Sequence, residues 1–145
     1  MDVDIKIVNF NSEEQKKCVE LRDQMLRRPL GLSFTSDQLN GEIDHVHVAA
    51  FKRDSDILVG CLVLVPHGKS MRMRQVAVHD DYQKQQVGSQ LVHFSEDYAK
   101  SSGCQRIYCH ARDVAVNFYK KHNWTVEGNS FMEVGITHYL LTKEL

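Results

Sequence analysis

The chain has 145 residues, 26% of them charged, and a formal net charge of -1. That length suits one domain, residues 1–145, with a full core, and so even a balance of charge excludes an electrostatic grip on nucleic acid or an anionic membrane. Met1 to Asn11 carries two aspartates and no apolar core segment, and the longest apolar run, Ile57 to Pro66, is about half of the roughly 20 residues a membrane span needs. No signal peptide or membrane segment is expected, and the expected location is the cytoplasm.

Asp2 to Phe10 alternates Val3, Ile5 and Ile7 with polar residues, the pattern of a half-buried strand. Ser12 and Gln15 have the spacing of a capping box. They open a helix with Cys18, Leu21 and Met25 on one face, which Pro29 stops at about Arg28. Leu30 to Asp44 is irregular, with a short helical turn after Thr35 or Ser36. His45 to Lys52 is a second strand. Ile57 to Pro66 is a third, nearly all apolar and so buried on both faces. Met71 to His79 is a fourth strand. From about Gln86 the residues Val87, Leu91, Phe94 and Tyr98 fall on one stripe of a helix that runs to Lys100. Arg106 to His110 is a fifth strand, and strand–helix–strand at this spacing makes the two strands parallel neighbours. Asp113 caps a short helix, Val114 to Lys121. Trp124 to Glu127 and Gly135 to Lys143 are the final strands.

The four cysteines, Cys18, Cys61, Cys104 and Cys109, show no Cys-x-x-Cys spacing. Buried thiols are expected, and no metal site. His45 and His47 share a strand face and are read as structural or surface residues.

The stretch that organises the chain is the polar turn His79-Asp80-Asp81-Tyr82-Gln83-Lys84-Gln85-Gln86, which feeds a helix with Gly88 in its first turn. N–H groups at a helix start have no intrahelical partner and lie at the positive end of the dipole, so the turn is a candidate anion site. Gly88 lets a ligand approach the backbone. Gln83 and Lys84 add an amide and a positive charge.

At these residues the chain resembles the GNAT superfamily of acyl-CoA-dependent N-acyltransferases. The family's pyrophosphate signature, Gln/Arg-x-x-Gly-x-Gly/Ala, reads Gln83-Lys84-Gln85-Gln86-Val87-Gly88 here, with Gln86 in place of the first glycine. A second resemblance runs from Ala115 through Phe118-Tyr119 to Asn123-Trp124, with Asn123 at the family's usual glycine. Asn is the commonest non-glycine residue at a left-handed helix end. A third, Glu127-Gly128 to Phe131-x-Glu133-x-Gly135-Ile136-x-His138, is similar to the ElaA-like/YjcF-like branch.

The resemblance implies an α/β fold: a mixed, mostly antiparallel sheet flanked by helices, with a parallel pair of strands that splay apart. The wedge between the strands carrying Val78 and Cys109 would hold the pantetheine arm of acetyl-CoA. The implied cofactor contacts are Val76, Ala77 and Val78 on the strand, Gln83, Lys84, Gln85, Gln86, Val87, Gly88 and Ser89 at the turn, and Arg112 and Phe118 beyond. The resemblance gives Tyr119 the role of acid for the leaving thiolate, and a backbone N–H near Val76 that of oxyanion donor. The strand leading to the turn offers no carboxylate as base, which leaves water, Glu20, Asp44, His45 or His138. Three readings stay open: an N-acetyltransferase acting on a small-molecule or peptide amine, a non-catalytic acyl-CoA-binding module, and a plain interaction domain. A homodimer is compatible with each.

Overall fold

The computed structural model describes all of residues 1–145. Its seven strands are β1 (Val3–Val8), β2 (Val46–Lys52), β3 (Leu58–His67), β4 (Ser70–Val78), β5 (Arg106–Arg112), β6 (Thr125–Glu133) and β7 (Ile136–Glu144). They form one sheet in the order β1-β2-β3-β4-β5-β7-β6. Every neighbouring pair is antiparallel except β4 and β5, which are parallel as the sequence predicts.

Four α-helices accompany the sheet: α1 (Glu13–Arg22), α2 (Ser36–Asn40), α3 (Val87–Ser101) and α4 (Val116–Lys121). Cys18 and Leu21 of α1 pack on one face with Ala49, Cys61 and Ala77. Val87, Leu91 and Val92 of α3 pack on the other with Val59, Leu62 and Met73. This explains the unbroken apolar run of β3, whose residues Val59 to Leu64 are all buried. No helix is long and apolar enough to cross a membrane.

Two element boundaries differ widely from the sequence reading. The first helix is α-helical only to Arg22, then widens to a π-turn over Asp23–Arg27 and tightens to a 3-10 turn over Arg28–Leu30. Its end is held by the buried pair of Arg22 and Glu42, whose side chains meet in two hydrogen bonds of 2.9 and 2.7 Å. Pro29, lacking an N–H, lies in the 3-10 turn before Gly31 closes it at φ 70°. The capping box is also displaced by one residue. Ser12 accepts from the Gln15 N–H, but Gln15 reaches back to the N–H of Asn11.

The last hairpin is longer than expected. β6 continues from Thr125 to Glu133, because a register shift between Glu127 and Phe131 absorbs the Gly128-Asn129-Ser130 stretch that reads as a strand breaker. The connection is two residues, Val134 at φ 48° and Gly135 at φ 75°. Left-handed backbone at both positions is the tight hairpin geometry for which Asn-Gly is the usual sequence, so Val134 hides it.

β4 and β5 are paired only from Ser70 to Met73 and from Arg106 to Cys109. β5 stays bound to β7 as far as Arg112, opposite His138. β4 departs at a bulge, where its register against β3 shifts and Gln75 takes φ 55°. The two strands therefore part above Met73 and Cys109, and their facing backbone edges are left open.

Candidate functional site

The parting of β4 and β5 opens a cleft of about 420 Å³. Met73, Gln75 and Val76 line it from β4, Cys109 and Ala111 from β5, and Tyr119 from α4. Leu26, Leu30 and Leu32, between α1 and α2, form an apolar wall. Glu133, Val134 and His138 close the far side from the β6–β7 hairpin.

Tyr119 is buried, with its ring 5.1 Å from those of Phe118 and Trp124. Burial, and then the neighbouring Cys109, push its phenol well above the usual range. It is therefore a neutral proton donor at any ordinary pH. Burial likewise pushes the Cys109 thiol up to about 12, so it stays a thiol and a weak nucleophile.

The turn before α3 does not line this cleft; it lies beside Phe118, the neighbour of Tyr119. Lys84 and Gln86 are left-handed, at φ 60° and 70°, and Gln86 ends at the helix without a side-chain cap. The amides of the first turn, Val87 to Ser89, point away from the helix with no intrahelical acceptor. Gly88 sits under Phe118: a Cβ added there would lie 3.4 Å from Phe118 Cζ and 4.0 Å from Val78 Cγ2.

The predicted contacts divide between side chain and backbone. Gln83 is committed to the turn, donating to the Val78 carbonyl at 3.1 Å and Asp80 Oδ1 at 3.3 Å. Gln85 donates to the Asp81 carbonyl, and Ser89 Oγ lies 3.0 Å from His122 Nε2. Val87 and Ala77 are buried in opposite cores and offer only backbone. Lys84 and Gln86 are exposed. Val76 and Arg112 line the cleft. Phe118 stands behind Gly88.

Among the sequence candidates for a base, only His138 reaches the cleft. Glu20 is paired with Arg28 on the surface, and Asp44 is exposed away from the cleft. His45 lines a neighbouring cavity of about 260 Å³, where burial lowers its pKa. His47 is buried, with Nε2 2.9 Å from the Glu42 carbonyl.

The residues that sequence reasoning missed are Glu133 and His110. Glu133 Oε1 lies 3.1 Å from His110 Nδ1, and Oε2 lies 3.5 Å from His138 Nε2. His138 Nδ1 is 2.8 Å from the Ile136 carbonyl and must carry a proton to bond it. In the neutral ring Nε2 then turns a lone pair toward the Glu133 carboxylate. The signal was present in Phe131-x-Glu133 and His138, but only a two-residue turn at Val134-Gly135 brings the two strands into register.

Residues 9–124 match the acetyltransferase (GNAT) family. The Bacillus subtilis protein YyaT is 26% identical over 99 residues, 68% of this chain and 66% of that protein. Escherichia coli ElaA superposes with a TM-score of 0.81 at 18% identity, over 99% of this chain and 100% of its own. A GNAT acetyltransferase from Elizabethkingia anophelis with acetyl-CoA bound gives 0.75 at 17% identity, over 99% and 98%. The two superpositions establish likeness of fold. The family match spans most of the sequence, including the turn before α3 and all of α4, and the chain belongs to the acetyltransferase (GNAT) family.

Proposed function

We propose that the protein transfers an acetyl group from acetyl-CoA to a primary amine by direct attack on the thioester. The observation that carries this reading is the wedge itself. Its backbone edges are open beyond Met73 and Cys109, and a buried, neutral Tyr119 lines the same cleft. The related protein with acetyl-CoA bound supports the choice of acyl donor.

The pyrophosphate lies on the amides of Val87 to Ser89, with Lys84 adding charge, and the pantetheine arm runs between β4 and β5. The Val76 N–H, turned by the bulge at Gln75, donates to the thioester oxygen as negative charge develops. The amine nitrogen forms a bond to the carbonyl carbon, and the carbon–sulfur bond breaks. Tyr119 gives its proton to the departing sulfur. The Glu133–His138 pair takes a proton from the attacking nitrogen and releases it to solvent, and Tyr119 is reprotonated from solvent. The products are an amide and free CoA thiol.

Thiol release from acetyl-CoA across an amine panel tests the activity, and Glu133→Gln tests the base. Loss of a general base costs roughly 10²–10⁴-fold in rate. The deficit should shrink as pH rises through the pKa of the amine itself, because the free amine no longer needs a base. A Glu133→Gln enzyme with full activity at pH 7 assigns the proton to another acceptor.

A further inference from the structure

The protein has eight arginines: Arg22, Arg27, Arg28, Arg53, Arg72, Arg74, Arg106 and Arg112. The four outside the cleft are all paired with carboxylates. Arg22 binds Glu42, Arg28 binds Glu20 and Asp23, Arg53 lies by Asp2 and Asp4, and Arg106 meets Glu127. The four that line the cleft, Arg27, Arg72, Arg74 and Arg112, have no carboxylate within 4.0 Å. The cleft's only carboxylate is Glu133, which lies between two histidines. A folded chain that pairs every other arginine with a carboxylate has left this set with none in contact.

Arg72 and Arg74 are the centre of the set. They alternate along β4 with Met71 and Met73, which face the α3 core. The period of two therefore puts both guanidinium groups on the opposite face, away from the turn where phosphate binds. They are like charges two residues apart. Arg72 contacts only the ring of His110, at 3.1 Å, and its Nε is buried with no acceptor. Burial and then the charge of Arg72 lower the pKa of Arg74. An anion brought to this pair relieves both the repulsion and the unmet donors, and a carboxylate fits the planar fork of arginine with two parallel bonds.

The position of the set relative to Glu133 limits the ligand. His110 Nδ1 is 3.1 Å from Arg72 Nη2 on one side and 3.1 Å from Glu133 Oε1 on the other. One imidazole therefore separates the cationic group from the proton acceptor. We infer that the acyl acceptor is a small amino acid, with its carboxylate held by Arg72 and Arg74 and its amine a few bonds away beside Glu133. Leu26, Leu30 and Leu32 give it an apolar wall for the side chain. The inference rests on the acyltransferase reading above.

Leucine and leucinamide, which share a side chain but differ in the carboxylate and in amine basicity, separate the possibilities when each is tested with acetyl-CoA by thiol release and compared per concentration of free amine. The expected result is a kcat/KM at least tenfold higher for leucine. Arg74→Gln should collapse that ratio toward one by raising KM for leucine, and Arg74→Lys, which keeps the charge, should restore part of it. Arg72→Gln repeats the measurement at the second position, and the melting temperature of each variant shows whether it is folded. Equal rates with the two amines, or release only with leucinamide, overturn the inference and leave the acyltransferase reading standing. A preference for leucine that persists in both folded Gln variants also overturns it. No release with any amine, in a protein that binds CoA, overturns both.

Discussion

Arg22 and Glu42 join the end of α1 to the loop after α2 through two hydrogen bonds, and their side chains are only 1% and 7% exposed. The pair fixes the segment that carries Leu26, Leu30 and Leu32 against the cleft. Charges buried this deeply gain little as a pair, but stranding one of them is expensive. Glu42→Ala should therefore lower stability by about 3–5 kcal/mol, read from the urea midpoint. The double variant Arg22→Met/Glu42→Leu should lose far less. Equal losses in the two proteins would show that packing, not charge, sets the cost.

At the turn before α3, Gln86 has a left-handed backbone at φ 70°. A non-glycine residue there costs roughly 1–2 kcal/mol. Gln86→Gly should raise the melting temperature and leave CoA affinity equal or tighter. A tenfold loss of affinity would identify the Gln86 side chain as a ligand. Gly88→Glu should abolish CoA binding in calorimetry, since its carboxylate would meet the phosphates. Unchanged affinity in the folded variant would move the pyrophosphate elsewhere.

For Tyr119, replacement by Phe should lower single-turnover rate by roughly 10²-fold or more with little change in CoA affinity. Because the phenol is held well above its ordinary value by burial, the donating form persists. The rate should then show no falling limb from this group below about pH 10. Stability follows the same sign. The neutral phenol is favoured in the folded state, so its contribution is complete below the unfolded pKa and is lost as pH rises through the folded one. Wild type should lose stability above about pH 10, and more steeply than Tyr119→Phe. Full activity in the variant removes Tyr119 from the chemistry and assigns the proton on the leaving thiolate to another donor.

Val134 is β-branched, half exposed and left-handed at φ 48°, a conformation such residues rarely take. Val134→Asn restores the favoured Asn-Gly turn and should stabilise the fold by about 1 kcal/mol. Because Val134 also lines the cleft, KM for the acceptor should change while CoA affinity does not. A lower melting point would mean that the valine makes contacts worth more than the backbone strain.

The periodic elements and the turn before α3 were legible in the residues alone. Both are local: the apolar stripe Val87, Leu91, Phe94 and Tyr98 needs only helical spacing, and the alternation of Val3, Ile5 and Ile7 needs only a strand. The parallel pairing of β4 with β5 followed from chain length between them. The end of α1 was not legible, because the ion pair that holds it joins residues 20 positions apart. Nor was the reach of β6, because a register shift carries the strand past three breaker residues and a valine occupies the turn. The candidate base escaped for the same reason. Glu133 meets His110 from 23 positions away, and only the sheet, folding β7 between β5 and β6, puts a carboxylate from the last hairpin beside a cleft that opens two strands over.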